Sequence, residues 1–402
     1  MFYSVKSAVG YIESQRNKRT IEDFQNTLDE LHINVHQKNM IHIAGTNGKG
    51  STVNYLRAIL NAHGYKVGTF TSPYIVKHND RICVDGTPIS DTALLYYINK
   101  YHDIIEREHL SMFEIDTLIM LDYFDTQPLD FRIIECGIGG KHDKTNVIDS
   151  KISAITNIGM DHIEQIGPTL FDIINEKMGI IKRGNLFITS ETKGTILARL
   201  QEQCDAMDAT MVVVPEYETT HYPFCFQYRD MDFTLKQQGI YQVANARLAL
   251  TIASRLITLD HDKTIKAIET TNWPGRFEKM QYLNKPVILD GAHNMPGLQS
   301  LLDTLKCLEQ KDIGIVFSAL KDKQVEEMLG ELAHTPYQIY VTSFSDERAD
   351  SSLKKMVHDT DMMVYTSSYK DAIKTAALKH DLVVVTGSLH FISIVRKYLE
   401  DM

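Results

Sequence analysis

The feature that most constrains the fold is an alternation of short apolar runs with longer amphipathic stretches. Strand-length runs such as MIHIA, FRIIEC, ISAITNI and NLFIT recur ahead of helix-length segments in the first half of the chain. This alternation favours a mostly parallel sheet covered by helices, because each parallel strand needs a long crossover connection. The sequence therefore predicts an α/β fold.

A second series of the same kind begins after the WPGR stretch, with PVILD, IGIVFSA, QIYVTS, MMVYT and LVVVTGS. Between the two series, CFQYRDMDFTLK indicates an antiparallel excursion, and helices are predicted over 241–259 and 262–270. At 402 residues the chain has the length of two domains. We predict a P-loop-containing, mostly parallel sheet domain over residues 1–283 and a smaller doubly wound, Rossmann-like domain over residues 284–402.

Composition and charge exclude several classes of protein. With 52 acidic and 42 basic residues, the net charge of −10 argues against a general nucleic-acid binder. No signal peptide and no run of about 18 apolar residues is found. A monomeric cytoplasmic protein that does not bind membranes is expected. The five cysteines form no C-x-x-C pair, so we expect them to be reduced and buried.

The stretch HIAGTNGKGST follows the first strand and has the composition of a phosphate-binding loop. Gly48 and Gly50 let backbone N–H groups surround phosphate oxygens, Lys49 can reach the terminal phosphates, and the Ser51 hydroxyl can hold Mg²⁺. The pattern G-x-x-x-x-G-K-[ST] is not matched, because Ile43 occupies the first glycine position and Gly50 separates Lys49 from Ser51. The alternative is a tight turn with a solvated lysine, but the position between a strand and a helix favours phosphate binding.

Three further side chains lie where a parallel sheet would bring them near this loop. Glu135 ends the strand FRIIEC, a suitable place for a ligand of nucleotide-bound Mg²⁺. His162 follows the strand ISAITNI, although such a histidine is by itself more often structural. Lys177 lies in an apolar helix, where burial could lower its pKa and let the neutral amine form a carbamate with CO₂. The alternative for Lys177 is a lysine whose amine reaches the surface.

Four more residues are weak signals when taken singly. Asn245 lies on a predicted helix and could contact a base, although a capping role is commoner. Arg276 follows a Pro-Gly turn and suits a phosphate contact. Asp290 and His293 end the first strand of the second series in LDGAHN.

Taken together, these motifs resemble one family. In order along the chain they are GTNGKGS (45–51), TSPYIVKHNDRI (71–82), FEIDT (113–117), ECGIGG with TNV (135–147), GMDH (159–162), EKMGIIK (176–182), PGRFE (274–278) and LDGAHN (289–294). Their order and spacing resemble the folylpolyglutamate synthase/dihydrofolate synthase family of Mur-ligase-like ATP-dependent amide ligases. The resemblance extends from about residue 40 to the end of the chain.

The resemblance implies a reaction in which ATP phosphorylates a substrate carboxylate and L-glutamate attacks the acyl phosphate. It implies ATP, two Mg²⁺ ions and a carbamate on Lys177 as cofactors, and a folate or pteroate acceptor. It assigns phosphate binding to Gly48, Lys49, Gly50 and Ser51, metal binding to Ser51, Ser72, Glu135, His162 and Lys177, catalysis to Lys49, Glu135, His162 and Lys177, and nucleotide contacts to Asn245, Arg276, Asp290 and His293.

The chain departs from the family pattern in the region expected to bind the acceptor. The usual GGRLDATN reads GGKHDKTN, so a lysine replaces the arginine and a histidine replaces the leucine, and SPHL reads SPYI. The residues expected to contact the acceptor are Phe113, Glu114, Lys141, His142 and Asp143. Two alternatives therefore remain, a Mur-type ligase acting on a non-folate acid and a nucleotide-binding relative with altered catalysis.

Overall fold

The computed structural model describes residues 1–217, 221–321, 324–344, 349, 352–357 and 362–402. The chain separates into two compact units. The first contains Met1–Tyr217, Tyr228–Met231 and Ala244–Ile268, and the second contains Glu218–Gln227, Asp232–Val243 and Glu269–Met402. Among the described residues, none of the helices has the length and apolar composition needed to cross a membrane.

The first unit is built on a sheet of eight described strands in the order β4-β3-β2-β5-β1-β6-β7-β8. These strands are β1 (Met40–Ala44), β2 (Val67–Phe70), β3 (Ile82–Val84), β4 (Thr87–Pro88), β5 (Phe131–Glu135), β6 (Ile152–Ile155), β7 (Leu186–Thr189) and β8 (Thr210–Val213). All neighbours from β2 to β8 are parallel, whereas β3 and β4 pair antiparallel at one edge. The mostly parallel sheet predicted from the alternating pattern is confirmed.

Helices precede, separate and follow these strands along the chain. They are α1 (Val5–Ser14), α2 (Ile21–Glu30), α3 (Lys49–Ala62), α4 (Asp91–Lys100), α5 (His102–Glu108), α6 (Met112–Asp125), α7 (Ile163–Ile166), α8 (Leu170–Lys177), α9 (Gly194–Ala206), α10 (Tyr241–Leu256) and α11 (His261–Thr270). Short 3-10 turns span His78–Arg81, Lys144–Val147 and Met178–Ile180. Capping boxes start α2, α6 and α8, where a Ser or Thr hydroxyl and an acidic side chain satisfy the exposed N–H groups.

The second unit contains a smaller sheet in the order β11-β12-β16-β13-β14-β15. Its strands are β11 (Glu278–Tyr282), β12 (Lys285–Leu289), β13 (Ile313–Phe317), β14 (Gln338–Thr342), β15 (Met363–Thr366) and β16 (Leu382–Thr386). Its helices are α12 (Met295–Cys307), α13 (Val325–Ala333), α14 (Leu353–Met356), α15 (Tyr369–Lys379) and α16 (Leu389–Glu400). The predicted excursion between the two series forms a separate sheet of two strands, β9 (Cys225–Tyr228) and β10 (Met231–Thr234).

Two details differ from expectation. β11 precedes residue 284 but pairs antiparallel with β12, so the second compact unit begins ahead of the predicted boundary. The functional division into residues 1–283 and 284–402 stays a prediction. Cys83, Cys136 and Cys204 are buried as expected, whereas Cys225 is exposed and Cys307 is half-buried.

Candidate active site

The loop between β1 and α3 has a backbone that glycine adopts most easily. Gly48, the N-cap of α3, has φ +86°, and a Cβ there would lie 2.1 Å from Asn245 Oδ1. Gly45 has φ +147°, and its Cβ would lie 1.8 Å from Thr156 Oγ1. The glycines thus let the loop pack closely while the N-terminus of α3 stays available to an anion. The predicted nucleotide contact Asn245 lies beside this loop.

The loop between β1 and α3, residues 45–48, is called the phosphate loop below after its predicted role. It is hydrogen-bonded to the residues that follow β6. Thr46 Oγ1 donates to the Gly159 carbonyl at 3.0 Å and accepts from the Gly159 N–H at 2.9 Å. Thr156 Oγ1 donates to the Asn47 carbonyl at 2.6 Å, and the Asn47 N–H donates to Asn157 Oδ1 at 3.0 Å. The sequence-based reasoning missed these residues, and the polar run at the end of ISAITN was the signal available for them.

Two lysines converge on one carbonyl of the phosphate loop. Lys177 Nζ donates to the Gly45 carbonyl at 2.9 Å, and Lys49 Nζ donates to the same oxygen at 3.0 Å. Lys177 is only 3% exposed. Burial, with the nearby charge of Lys49, lowers the pKa of Lys177 to about 7. A lowered pKa is what carbamate formation at this amine would require, and the carbamate stays a prediction.

Glu135 and Ser72 meet where β5 and β2 end. The Ser72 N–H donates to Glu135 Oε2 at 3.2 Å. β5 lies between β2 and β1 in the sheet, which brings both residues to the strand edge that carries the phosphate loop. Ser51 is buried in the first turn of α3. Hydroxyl and carboxylate oxygens of this kind are hard ligands that suit Mg²⁺.

His162 begins α7 with a left-handed backbone, φ +51°. Its N–H donates to Asp161 Oδ1 at 2.9 Å, and its Nδ1 lies 3.2 Å from Gln165 Oε1. Asp161 is largely buried, and its negative charge acts on the Lys177 amine. The segment that carries His162 also contains Gly159, whose N–H donates to Thr46 in the phosphate loop.

Glu176 orders the glycine loop that follows β5, a role that the sequence-based reasoning also missed. Its Oε1 accepts from the N–H groups of Gly140 at 3.4 Å and His142 at 2.8 Å, and its Oε2 lies 2.8 Å from His142 Nδ1. The Lys141 N–H donates to the Glu176 carbonyl at 2.6 Å. The Lys141 and His142 side chains are exposed, so both remain accessible to a substrate.

Asp143, by contrast, is buried within a group that we call the His42 cluster, made of His42, Cys136, Asp143 and Thr145. Asp143 Oδ1 accepts from the Thr145 N–H and hydroxyl, and His42 Nε2 lies 2.8 Å from Thr145 Oγ1 and 3.0 Å from Cys136 Sγ. Burial lowers the pKa of His42 to about 3 and raises the pKa values of Cys136 and Asp143. The contacts of Asp143 within this cluster are those of a residue that positions the loop.

Glu114 is likewise completely buried. Its carboxylate caps α6 through the Ser111 N–H at 2.8 Å, and it pairs with Arg19 at 3.5 Å and Lys144 at 3.4 Å. Phe113 is half-buried, with its ring centroid 5.7 Å from that of Phe70. Of these neighbours on α6, Phe113 is the more accessible to a ligand, and the predicted substrate contacts of both residues stay predictions.

A second polar group, which we call the His78 network, consists of Glu13, His78, Arg81 and Asp116. His78 Nε2 lies 2.7 Å from Asp116 Oδ1 and its Nδ1 lies 3.3 Å from Glu13 Oε1. Arg81 Nε lies 3.4 Å from Asp116 Oδ2. Burial by itself would lower the pKa of His78, but the charge of Asp116 and the hydrogen bonds to both carboxylates raise it to about 9. The hydrogen bond from His78 lowers the pKa of Glu13 to about 2. His78, Arg81 and Asp116 lie in two of the motifs and Glu13 lies in none, and no individual role had been predicted for any of the four.

In the second unit, the residues predicted near LDGAHN gather at the end of β12. Asp290 Oδ2 accepts from the Tyr241 hydroxyl and from the Phe277 N–H at 3.0 Å. Arg276 donates to the Gly291 carbonyl at 3.3 Å, and His293 Nδ1 lies 2.8 Å from the same oxygen. Burial raises the pKa of Asp290. Arg276 and His293 are half-buried.

Comparison with family models finds two matches in the order of the two units. Residues 43–253 match the Mur ligase middle domain, and residues 275–389 match the Mur ligase glutamate ligase domain. The first match contains the phosphate loop, Glu135, His162, Lys177 and Asn245, and the second contains Arg276, Asp290 and His293.

Known proteins with the same organisation include curated relatives and solved structures. The dihydrofolate synthase/folylpolyglutamate synthase of Bacillus subtilis is 36% identical over 389 residues, which cover 89% of this chain and 90% of the relative. Folylpolyglutamate synthase from Mycobacterium tuberculosis, solved with ADP and AMPPCP, superposes with a TM-score of 0.88 at 26% identity and covers 98% of this chain and 99% of its own. A bifunctional folylpolyglutamate synthase/dihydrofolate synthase with Mn, AMPPNP and L-glutamate bound superposes with a TM-score of 0.85 at 25% identity, covering 99% and 98% respectively.

Proposed function

Because the chain belongs to the dihydrofolate synthase/folylpolyglutamate synthase family of Mur-type ligases, we propose that it joins L-glutamate to the carboxylate of a folate-type acceptor at the expense of ATP. The observation that carries the proposal is the convergence of Lys49 and Lys177 on the Gly45 carbonyl, inside a glycine loop that opens onto a helix N-terminus. Such an arrangement suits a triphosphate and the charge that develops when its terminal group is transferred.

The reaction has two steps. A carboxylate oxygen of the acceptor attacks the γ-phosphorus of ATP, the bond to the bridging oxygen breaks, and ADP leaves. The amine of L-glutamate then attacks the acyl carbon, phosphate leaves, and the nitrogen loses a proton to give the amide. Side chains take no covalent part, so positioning and charge neutralisation supply the catalysis.

The phosphate-binding roles fall to the loop. The N–H groups of Gly48, Gly50 and Ser51 donate hydrogen bonds to phosphate oxygens. Lys49 turns from the Gly45 carbonyl towards the terminal phosphates. Asn245 is the proposed contact to the base, Arg276 is the proposed contact to a phosphate, and Asp290 and His293 are the other proposed nucleotide contacts.

Bound divalent cations would neutralise phosphate charge, and the donors present fit Mg²⁺. Ser72 and Glu135 already contact each other at the strand edge, and their oxygens are hard ligands. The other proposed ligands are the Ser51 hydroxyl, His162 and a carbamate on Lys177, which together would hold two ions. The carbamate forms when the neutral Lys177 amine adds CO₂ and loses a proton, a step favoured by its pKa of about 7.

We propose that the acceptor lies along the loop that follows β5. Lys141, His142 and Phe113 are its more accessible predicted contacts, whereas the buried Glu114 and Asp143 hold helix and loop in place. Dihydropteroate and reduced folates are the proposed acceptors. A monomeric state in the cytoplasm is part of the proposal.

Purified protein should therefore sustain ADP release over many turnovers only when ATP, Mg²⁺, bicarbonate, L-glutamate and an acceptor are all present, because without L-glutamate the reaction stops at the acyl phosphate. Dihydropteroate, tetrahydrofolate and a UDP-linked cell-wall precursor make a discriminating panel. Turnover with the UDP-linked acid alone would assign the chain to Mur-type chemistry on another acid. The absence of acceptor-dependent ADP with every folate or pteroate would refute the proposal.

The carbamate role predicts that Lys177→Ala lowers turnover by at least about 100-fold, since an oxygen ligand of the metal is lost. ADP affinity should change by less than about threefold, because the phosphate loop is retained. In the wild type, ¹³C-labelled bicarbonate should give a carbamate resonance that is missing in the variant. Lys193→Ala, at an exposed lysine before α9, is the control. Wild-type turnover by Lys177→Ala would rule out the carbamate.

A further inference from the structure

The segment between β2 and β3 leaves the sheet after Phe70 and returns to it at Ile82. The Thr71 N–H donates to the Arg81 carbonyl at 2.9 Å, which closes the excursion at its base. Within it, Asp80 Oδ2 accepts from the N–H groups of Val76 and Lys77 at 3.0 Å each. The excursion therefore has a defined shape, and Ser72 stands at its first turn, beside Glu135.

Arg81, at the base of this excursion, contacts the Ser72 hydroxyl. Arg81 Nη1 donates to Ser72 Oγ at 3.1 Å, while its Nε faces Asp116 Oδ2. Its guanidinium also lies over the Tyr74 ring, 5.4 Å from the centroid. The guanidinium is planar, it is held on one side by the ion pair with Asp116, and on the other it donates its hydrogen bond to Ser72 Oγ. This hydrogen bond orients the remaining lone pair of Ser72 Oγ.

The charge of Arg81 would oppose a metal ion at Ser72 if nothing balanced it. The His78 network supplies that balance, because the cations Arg81 and His78 face the carboxylates Asp116 and Glu13. Arg81, His78 and Asp116 are each no more than 5% exposed, so solvent screens their charges weakly. Glu13 comes from α1 and Asp116 from α6, which anchors the excursion on two helices.

We propose that the His78 network is a positioning device that holds the Ser72 hydroxyl towards the phosphate loop and cancels the charge of Arg81, so that a nucleotide-bound divalent cation can bind at Ser72. Arg81 and Asp116 act through Ser72 and are positioning residues. The inference rests on the proposed function, which assigns Ser72 to the metal.

Arg81→Lys tests whether Arg81 acts by orienting the Ser72 hydroxyl or by its positive charge. A lysine keeps the positive charge but cannot bridge Ser72 and Asp116 with a rigid fork. We expect the Kd for Mn²⁺ in the presence of saturating ADP, measured from the electron paramagnetic resonance signal of free Mn²⁺, to rise about tenfold. The kcat at saturating metal should fall less than about threefold, since the metal once bound is unchanged.

A double-mutant cycle tests the route through Ser72. In a Ser72→Ala background, Arg81→Lys should leave the Mn²⁺ affinity unchanged, because the hydroxyl it orients is gone. Arg132→Lys is the matched control, because Arg132 is also a buried arginine but contacts Gln37 and backbone carbonyls at the start of β5. This control should bind Mn²⁺ as the wild type does. Asp116→Asn should weaken Mn²⁺ binding by removing the balancing charge, and Ser72→Ala, which removes a single hydroxyl from a half-buried residue, remains a test if Arg81→Lys does not fold.

Failure of the positioning role and failure of the proposed function can be told apart. Unchanged Mn²⁺ affinity in Arg81→Lys, an equal loss with and without Ser72, or a Ser72→Ala variant that binds Mn²⁺ normally would each overturn the positioning role. The measurement needs neither acceptor nor glutamate. Failure of acceptor-dependent ADP release would therefore end the proposed function without deciding this inference.

Discussion

His42 and His78 are both almost completely buried in the first unit, yet their pKa values move in opposite directions, to about 3 and about 9. His42 contacts a hydroxyl and a thiol, so desolvation decides and the ring stays neutral. His78 contacts two carboxylates, whose attraction outweighs desolvation and keeps the ring charged. Burial alone therefore does not set the charge of a histidine here. The neighbours that the fold supplies do.

The largest expected effect on stability comes from replacing Asp116, a carboxylate partner of the charged His78. Asp116→Asn would leave Arg81 as a buried cation with too few partners and remove the charge that keeps the buried His78 ring protonated, so we expect a loss of about 3 to 5 kcal/mol in the free energy of unfolding. Urea unfolding at pH 7 measures it. Asp125→Asn on the same helix removes an exposed carboxylate that accepts from the Asn34 amide and should cost at most about 1 kcal/mol. Equal losses in the two variants would show that the His78 network carries no special charge balance.

The pH dependence of stability should separate the two histidines by sign. The pKa of His78 rises from 6.5 to about 9 on folding, so its contribution, roughly 3 kcal/mol, is complete below pH 6.5 and is lost as the pH rises towards 9. The pKa of His42 falls from 6.5 to about 3, so its contribution is lost as the pH falls below 6.5.

Unfolding free energies of the wild type, His78→Gln and His42→Gln from pH 5 to 9.5 test this prediction. The difference between the wild type and His78→Gln should shrink in the alkaline range, and the difference between the wild type and His42→Gln should shrink in the acid range. The same slope in both differences would contradict the assignment.

The smallest effect on stability is expected at Glu13, the most exposed member of the His78 network. Glu13 is partly exposed, so Glu13→Gln should cost at most about 1 kcal/mol of stability because solvent screens its charge. The pKa of His78 should nevertheless fall, since a carboxylate that contacts its Nδ1 is lost. Titration of the His78 ring by NMR measures the shift, with Glu106→Gln on α5 as a control. An unchanged pKa would leave Asp116 as the sole cause of the elevation.

Much of the fold and part of the site follow from local sequence. The strand-helix alternation predicts both sheets because burial of parallel strands requires apolar runs with crossover helices between them. The placement of Lys49 and Glu135 follows, since carboxyl ends of parallel strands share one edge. The roles of Thr46, Glu176 and the His78 network were not predicted from the sequence, because no local pattern reports which polar side chains face inward. The acceptor contacts predicted for Glu114 and Asp143 stay predictions.

By itself, the sequence determined the phosphate loop, the order of the strands along the chain and an apolar helix around Lys177, since these depend on backbone freedom at glycine and on the periodicity of apolar residues. Only the tertiary structure decided which charges meet. His78 is 65 residues from Glu13 and 38 from Asp116 in the chain. The energy of such a contact depends on the distance between the charged atoms and on their burial, and both are set by the packing of α1 and α6 against the excursion after β2.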